Sequence, residues 1–568
     1  MNVLLFSMPD RHPYIGKREY EPPSLGLSSI AGNLDRRHPV WIADLAVRKW
    51  SVRSSVRRCL RKYKPDIIGL SSMTFQYYTA RRIARLIKQE RPGTLIVLGG
   101  YHATTMYREL TDSPEAEVLD FVFRGEADHG FNELLDALEG RRSIESVSGL
   151  SWKRGGVFHH NPHRPLEDLA TIALPDRDHR VSEFYHYYFD KTDAIETSRG
   201  CLHRCSFCSM NQMYGLTFRR YTIDRVLRDV QDTHRKRRFR RTGHILICDD
   251  NITLDIPRFM DICDGIGALK LPVQFLVQAS CAGIARDPAL PKKMADAGIT
   301  MVFLGIENGD EDNLQQMKKG KIVGVTRTAV HRLTDAGIIV IGGLINGLPD
   351  DDVAAIRRNY QYFVDLGIGT ILDQLITPYP GTEMRRDLLN AGLVTNRFDF
   401  QWYNGCWPQV RTRHLTSKQL MFEKWKARRE IVEDWRPSAQ VKEHYPYFAA
   451  FYEYLIRPII RFNERRMDRM HGEIGRYKRQ MRQWARLNDY FGDLVFDERF
   501  FDPEVEGPDG IGNRAAEFDY GCPPYKDSTD EPVSVRTRVR GPVPAAPGEP
   551  VATPLADQGE ASEPTKWR

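Results

Sequence analysis

The chain has 568 residues, a formal net charge of +7, 41% apolar and 28% charged residues, the balance of an ordinary globular protein rather than a disordered or membrane-embedded one. No run approaches the roughly twenty apolar residues of a membrane-crossing helix. Nine cysteines in so long a chain suit a reducing cytoplasm better than a disulfide scaffold, so we expect a cytoplasmic protein of several domains.

Residues 1–150 alternate short apolar runs with helical segments. The predicted strands cover 3–6, 40–43, 66–71, 95–100 and 121–126. This alternation predicts an α/β domain with a doubly wound parallel sheet, like a Rossmann fold. Ligands of such sheets bind at the carboxyl ends of the strands. We expect five residues to gather there, namely Ser71, Ser72, Thr74, Gly99 and Gly100.

A polar, proline-containing stretch follows at 151–190, with a hairpin turn at 153–157. Its composition predicts a linker without chemistry of its own.

Three cysteines, Cys201, Cys205 and Cys208, then lie within eight residues. Thiolates so spaced can hold three irons of a four-iron–four-sulfur cluster and leave the fourth iron open. Zinc is the competing interpretation, but its paired-cysteine sites usually come as two separated pairs. The third interpretation is that three unrelated cysteines happen to lie in one loop.

Residues 191–385 repeat a strand followed by a helix, which predicts a partial (β/α)6 barrel. Polar side chains stand at strand ends, where active-site residues of full barrels lie. The candidates are Asp249, Asp250, Gln278 and Glu307. For each acidic residue the competing interpretation is a helix N-cap.

The helical region predicted at 386–500 begins with an aromatic loop, 402–407, which we expect near the barrel mouth, where it could shape an apolar substrate pocket. The helix predicted at 440–492 carries apolar side chains and then arginines. Such a helix packs on the barrel by default, although a peripheral contact with a membrane surface also fits. The proline-, glycine- and charge-rich tail at 501–568 is predicted to be disordered.

A strongly basic run occupies residues 234–241. It is typical of a solvated helix end, and it also fits a docking site for an acidic flavodoxin or ferredoxin. We expect no nucleic-acid partner, because interleaved aromatic residues are sparse.

The CxxxCxxC run, with Phe207 before its last cysteine, resembles the signature of the radical S-adenosylmethionine (radical SAM) enzymes. Gly305–Gly309 and Thr377–Thr382 resemble further elements of that family. The resemblance implies that Cys201, Cys205 and Cys208 bind a 4Fe-4S cluster. It also implies that S-adenosylmethionine chelates the open iron and contacts Asp249, Asp250, Gln278 and Glu307.

Residues 1–140 resemble the cobalamin-binding domain that precedes many radical SAM domains. The shared features are Pro22-Pro23 with Gly26, Gly99-Gly100 and Arg124-Gly125-Glu126. Where related domains carry Asp-x-His-x-x-Gly, this chain has 44–49 without histidine or glycine. Cobalt would therefore lack that lower ligand, or else the domain is a scaffold without cobalamin.

Together these resemblances imply a cobalamin-dependent radical SAM enzyme that methylates an unactivated carbon of an apolar or polycyclic small molecule. A radical SAM oxidative cyclase of the magnesium-protoporphyrin monomethyl ester type is the first alternative, and a non-enzymatic iron–sulfur sensor the second. A flavodoxin or ferredoxin-type reductant is the implied partner. No catalytic residue is assigned.

Overall fold

The computed structural model describes residues 1–10, 22–182, 185–187, 190–237, 243–432 and 436–511. All of these lie within one compact unit, Met1–Lys526. Across the described part of the chain, no helix has both the length and the apolar character needed to cross a membrane.

The N-terminal sheet has seven strands. They are β1 (Val3–Ser7), β2 (Val40–Asp44), β3 (Ile67–Ser71), β4 (Leu95–Gly99), β5 (Phe121–Phe123), β6 (Leu150–Arg154) and β7 (Val157–His160). Their order is β2-β1-β3-β4-β5-β6-β7, with β1 to β5 parallel and the last two antiparallel. Ser7, Ser71 and Gly99 are in register, so the strand ends line up.

Six α-helices accompany this sheet. They are α1 (Leu25–Gly32), α2 (Val52–Tyr63), α3 (Tyr77–Glu90), α4 (Tyr101–Thr105), α5 (Tyr107–Asp112) and α6 (Gly130–Leu138). One apolar cluster joins α2 and α3 to one face of the sheet, and another joins α1 and α6 to the opposite face. The prediction of a doubly wound sheet is confirmed.

The predicted linker is wrong over its first ten residues. Strands β6 and β7 form a hairpin on the sheet edge, with Trp152 only 8% exposed. The Trp152 indole donates to Asn161 Oδ1 at 3.1 Å. The apolar face of this hairpin therefore belongs to the N-terminal core and is not draped over the next domain.

The second sheet forms the partial barrel. Its strands and a small hairpin are β8 (His186–Tyr187), β9 (Asp190–Ile195), β10 (Ser198–Arg199), β11 (Arg219–Arg220), β12 (Gly243–Ile247), β13 (Val273–Ser280), β14 (Ile299–Glu307), β15 (Ile339–Asn346) and β16 (Thr370–Leu375). The seven-stranded sheet has the order β16-β15-β14-β13-β12-β9-β8, and β10 pairs with β11. β9 and β12 to β16 are parallel. These six parallel strands confirm the predicted half-barrel, and β8 adds a seventh, antiparallel strand at its edge.

Helices follow or connect these strands along the chain. They are α7 (Met210–Tyr214), α8 (Ile223–Arg237), α9 (Ile256–Leu269), α10 (Cys281–Arg286), α11 (Leu290–Asp296), α12 (Glu311–Gln316), α13 (Val323–Asp335), α14 (Val353–Asp365) and α15 (Glu383–Asn390). Several begin at side chains that accept a backbone N–H, including Asp255, Asp310 and Asp352.

The C-terminal region adds α16 (Ser417–Val432), α17 (Ala439–His444), α18 (Pro446–Phe451) and α19 (Arg457–Ala485). The Lys424 ammonium lies 2.8 Å from Asp373 Oδ2, and both side chains are buried. This ion pair holds α16 against β16.

The single helix predicted at 440–492 is instead three helices, α17, α18 and α19. The last of them has a kink at Gly472.

The aromatic loop is part of the core, because Trp402, Tyr403 and Trp407 are at most 3% exposed. Its shaping of a substrate pocket stays a prediction. The predicted disordered tail begins too early, since Phe501 and Ile511 are fully buried and Phe501 packs against Trp407. The remainder of that tail, 512–568, lies outside the described residues.

Candidate functional site

A cavity of about 680 Å³ lies where the N-terminal sheet meets the mouth of the half-barrel. Its N-terminal side includes Ser71, Ser72, Gly99 and Gly100. Its barrel side is formed by Glu196, Arg199, Met213, Tyr214, Cys248 and Asp250. The strand ends of both sheets therefore open into one shared space.

The two glycines after β4 serve different purposes. Gly100 has φ +95°, and a Cβ there would lie 2.6 Å from the Ser72 carbonyl oxygen. A Cβ at Gly99 would meet nothing nearer than 3.9 Å. Gly100 therefore permits a tight backbone contact, whereas Gly99 leaves open space in the cavity.

Of the five residues predicted at this sheet edge, four line the cavity. Thr74 does not, because it is buried in the short turn that follows Met73. Ser72 is 2% exposed, and its hydroxyl has no hydrogen-bond partner among the described residues. A buried, unpartnered hydroxyl beside a glycine opening fits a large ligand with amide or hydroxyl groups.

The position of the missing histidine is occupied by Ala46, which lines the same cavity. Asp44, two residues earlier, accepts hydrogen bonds from the Ser7 hydroxyl and the Ala46 amide. Burial raises its pKa. Among the described lining residues there is no histidine. The donors present thus fit cobalamin held through its periphery, and none of the described lining residues is a histidine that would bind its cobalt.

The cysteine loop follows β10. Cys201, Cys205 and Cys208 are half-buried, and their thiols are free. Ser206 anchors the loop, because its amide donates to Met317 O at 3.1 Å and its hydroxyl to Gln316 O at 3.0 Å. Burial raises the pKa of all three thiols, that of Cys208 to about 11.

The described residues contain no group of three His, Cys, Asp or Glu side chains arranged around a single metal ion. A cluster whose thiolates each bind a different iron does not require the three thiols to surround one ion. The loop fits the 4Fe-4S cluster, and ligation by these cysteines stays a prediction.

Asp249 and Asp250 differ in what they contact. Asp249 is 1% exposed and accepts the Thr197 amide at 2.6 Å and the Thr197 and Ser198 hydroxyls at 2.5 Å. Both carboxylate oxygens of Asp249 thus position 197–198, and Asp249 is not among the residues that line the cavity. Its contact with S-adenosylmethionine stays a prediction. Asp250 accepts the Gly200 amide at 2.9 Å and lines the cavity. Burial raises its pKa to about 6.

Glu307 lies at the end of β14 with φ +68°, a left-handed conformation that is costly for a residue with a Cβ. Its Oε1 is 3.1 Å from the Lys319 ammonium. Burial lowers the pKa of Lys319, but Glu307 and Cys205 outweigh this and hold it above its usual value. A Cβ at Gly305 would lie 2.9 Å from Glu307 Oε1, so a larger residue there would displace the carboxylate end of this pair.

Gln278 alternates with buried residues along β13 and is half-buried. It is on the same strand face as Gln274 and Leu276, but neither it nor Glu307 lines the shared cavity. A contact between Gln278 and a nucleoside stays a prediction.

Sequence analysis missed a buried ionic cluster around Arg199. Its guanidinium lies 2.8 Å from Glu126 Oε1, 2.9 Å from Asp128 Oδ2 and 2.7 Å from Glu196 Oε1. Arg219 also pairs with Glu126, at 2.9 Å. The sequence did hold a signal for this cluster, because Glu196 and Arg199 directly precede the cysteines and Glu126 ends the Arg-Gly-Glu element.

Two family models match the chain, described as the B12 binding domain over 11–135 and the radical SAM superfamily over 195–361. An uncharacterized methyltransferase of Pyrococcus horikoshii is 28% identical over 440 residues, covering 77% of this chain and 94% of that protein. The anaerobic magnesium-protoporphyrin IX monomethyl ester cyclase of Rubrivivax gelatinosus is 26% identical, covering 70% of this chain and 73% of that protein.

Among solved structures, the fold resembles that of the cobalamin-dependent S-adenosylmethionine radical enzyme OxsB with aqua-cobalamin and S-adenosylmethionine bound. The TM-score is 0.63 at 16% identity, and the match covers 88% of this chain and 82% of the other. At that identity the similarity supports the fold alone.

Replacing Cys201, Cys205 and Cys208 together by alanine is expected to abolish the cluster, because no thiolate remains to bind iron. Iron and sulfide content and the visible absorbance of anaerobically reconstituted protein measure this. Cys263→Ala, in the buried face of α9, is the matched control and should keep full iron content. A triple variant that still cleaves S-adenosylmethionine would contradict the assignment.

Gly99→Val is expected to remove cobalamin binding, because the side chain fills the open end of β4 without meeting backbone. Gel filtration after incubation with hydroxocobalamin measures the retained corrin. Gly93→Val is the control, since Gly93 is exposed and nothing lies within 4 Å of its added Cβ. Gly100 is unsuitable for this test, because any side chain there clashes with Ser72. Equal retention by wild type and Gly99→Val would count against the site.

Proposed function

We propose that the chain is a cobalamin-dependent C-methyltransferase, because it combines a radical SAM domain with a B12-binding domain. The observation that carries the proposal is the shared cavity, with Gly99 and Ser72 on one side and Asp250 on the other. A methyl donor held on the N-terminal side and a radical generated at the barrel mouth need such a common space.

When bound, the cluster with S-adenosylmethionine supplies a hydrogen-abstracting radical, and cobalamin carries the methyl group. In our proposal Cys201, Cys205 and Cys208 hold the cluster. Asp250 is the acceptor for the amino group or ribose hydroxyls of S-adenosylmethionine. Glu307 and Lys319 form a pair of opposite charges that is complementary to the ammonium and carboxylate groups of the methionine end.

The N-terminal side of the cavity has a different task in this proposal. Ser71, Ser72 and the open Gly99 would contact the cobalamin periphery, and Ala46 would supply no imidazole to it. The surrounding cavity is mostly apolar, with Met73, Phe75 and others at its wall. An apolar wall excludes water from reactive groups.

The substrate we propose is an apolar or polycyclic small molecule. The apolar cavity wall supports it, and the buried aromatic loop no longer does. An oxidative cyclase remains the second candidate, since one of the relatives is an anaerobic magnesium-protoporphyrin IX monomethyl ester cyclase. An iron–sulfur sensor has less support, because sensing requires neither Asp250 nor the Glu307–Lys319 pair.

An electron donor of the flavodoxin or ferredoxin type remains part of the proposal, as does a cytoplasmic location. The basic run predicted as one docking site lies partly outside the described residues, which omit 238–242. Beside the cysteine loop itself, Leu202 and Leu216 are exposed and line a separate surface hollow with Arg220 and Arg286. This hollow is the alternative docking site closest in sequence to the cysteines.

Product analysis distinguishes the two candidate reactions. Reconstituted enzyme is incubated anaerobically with a reductant, a cell extract of apolar metabolites and S-adenosylmethionine carrying a deuterated methyl group. A methyltransferase yields S-adenosylhomocysteine, 5′-deoxyadenosine and a product heavier by the labelled methyl. A cyclase yields 5′-deoxyadenosine alone, and that result would overturn the proposal.

Glu307→Gln and Asp250→Asn should each weaken S-adenosylmethionine binding by roughly tenfold to a hundredfold, the loss of one charge-assisted hydrogen bond of about 1.5–3 kcal/mol. Equilibrium binding measures the affinity, and iron content should stay unchanged because no thiolate is altered. Asp249→Asn is the contrasting variant, and we expect it to lower iron content by loosening 197–198. Unchanged affinity in both test variants would assign these carboxylates purely structural roles.

A further inference from the structure

Apolar side chains are unusually exposed in one short segment of the C-terminal region. Of the sixteen large apolar residues that are exposed in the described chain, eight lie between Tyr447 and Met470. Tyr447 is 74% exposed and Tyr454 is 80% exposed. Contiguous apolar exposure of this kind marks a contact surface.

These side chains share one helical face. Tyr447, Phe451, Leu455 and Ile459 follow one another at intervals of four residues, across α18, the π-helical turn Tyr452–Ile456 and the start of α19. Tyr454 and Phe462 lie within the same arc, because three- and four-residue intervals return to one side of a helix. We call the exposed residues 447, 451, 454, 455, 459 and 462 the apolar stripe.

Positive charge continues the apolar stripe toward the C terminus. Arg465, Arg466 and Arg469 follow Phe462 at intervals of three, four and seven residues, and all three are exposed. None of them pairs with a carboxylate among the described residues. The outward face thus runs from aromatic and aliphatic side chains into a cluster of arginines.

The acidic residues of the segment are used elsewhere. Asp468 pairs with Arg429 at 2.7 Å and with Arg476 at 3.1 Å. Glu464 pairs with Arg476 at 3.1 Å, and Glu453 with Lys442 at 3.4 Å. Internal ion pairs therefore neutralise every carboxylate of the segment and leave the outward face purely basic and apolar.

The segment is mounted on the half-barrel far from the cysteine loop. Tyr445 and Phe448 are buried against Met301 and Ile339, at the starts of β14 and β15. The Tyr445 hydroxyl lies 3.0 Å from Thr300 Oγ1. Because Glu307 is at the other end of β14, contact through the stripe leaves the cavity mouth free.

We propose that the apolar stripe and its arginines bind the surface of an anionic phospholipid membrane. Tyrosines and aliphatic side chains enter the headgroup boundary, while the arginines pair with lipid phosphates. A second copy of the chain fits less well, since a symmetric interface would offer these arginines no free carboxylate. The inference goes beyond the proposed methyl transfer and does not rest on it.

The test is co-sedimentation of the full chain with vesicles. Wild type should bind vesicles of phosphatidylcholine containing phosphatidylglycerol, bind pure phosphatidylcholine weakly, and lose binding as salt rises. Leu455→Glu with Ile459→Glu should abolish binding. Arg465→Gln, Arg466→Gln and Arg469→Gln together should weaken it by about a hundredfold, since each arginine near an anionic surface is worth about 1 kcal/mol.

The matched control removes three exposed charges elsewhere, as Arg36→Gln, Arg154→Gln and Lys292→Gln. It should bind nearly as well as wild type, which separates a specific surface from net charge. All variants should keep full iron content, because they are remote from the cysteines. Absent binding by wild type, equal binding by the stripe variant, or a dimer that the stripe variant abolishes would each overturn the proposal.

Discussion

The buried guanidinium of Arg199 holds the N-terminal sheet region against the half-barrel. It is 6% exposed and contacts Glu126 and Asp128 from one side and Glu196 from the other. Although burial disfavours its charged form, the carboxylates hold its pKa well above the usual value. Removing such ions from water costs several kcal/mol each, so a buried ionic cluster fixes geometry more than it adds stability. Here the geometry that it fixes is the width of the shared cavity.

The same clustering of buried acids positions the cysteine loop. Arg199 lies two residues before Cys201, and Asp249 accepts three hydrogen bonds from the two residues before Arg199. Thr197 and Ser198 are small polar residues with little apolar surface to pack, so their hydrogen bonds to the buried Asp249 carboxylate define the path of the chain there. The Tyr101 hydroxyl, which donates to Met210 Sδ at 3.1 Å, adds a contact from the glycine side. The two halves of the site are therefore aligned by polar contacts at their boundary.

Sequence alone predicted both sheets, because short apolar runs and helices alternate regularly in each. Of the five residues that it placed at the first sheet edge, four line the cavity. It could not distinguish Asp249 from Asp250, since adjacent residues after a strand point in directions that only the tertiary structure decides. Lys319 gave no signal, because it lies in a basic loop and meets Glu307 only through the fold. The hairpin turn at 153–157 was predicted, but its place in the N-terminal sheet was not, since such a turn is equally compatible with a linker.

The two sides of the cavity differ in their physical chemistry. The N-terminal side offers uncharged contacts at Gly99, Ser72 and Ala46, beside carboxylates that include Asp44 and Glu126. Near the barrel mouth they are ionic, and Glu307 accepts a strained backbone to meet Lys319. Strain of about 1–3 kcal/mol persists only where surrounding structure enforces it, and the ion pair with Lys319 is a contact that holds the Glu307 side chain here. In the proposed function a macrocycle held largely by shape would face a zwitterion held by charge, with the substrate between them.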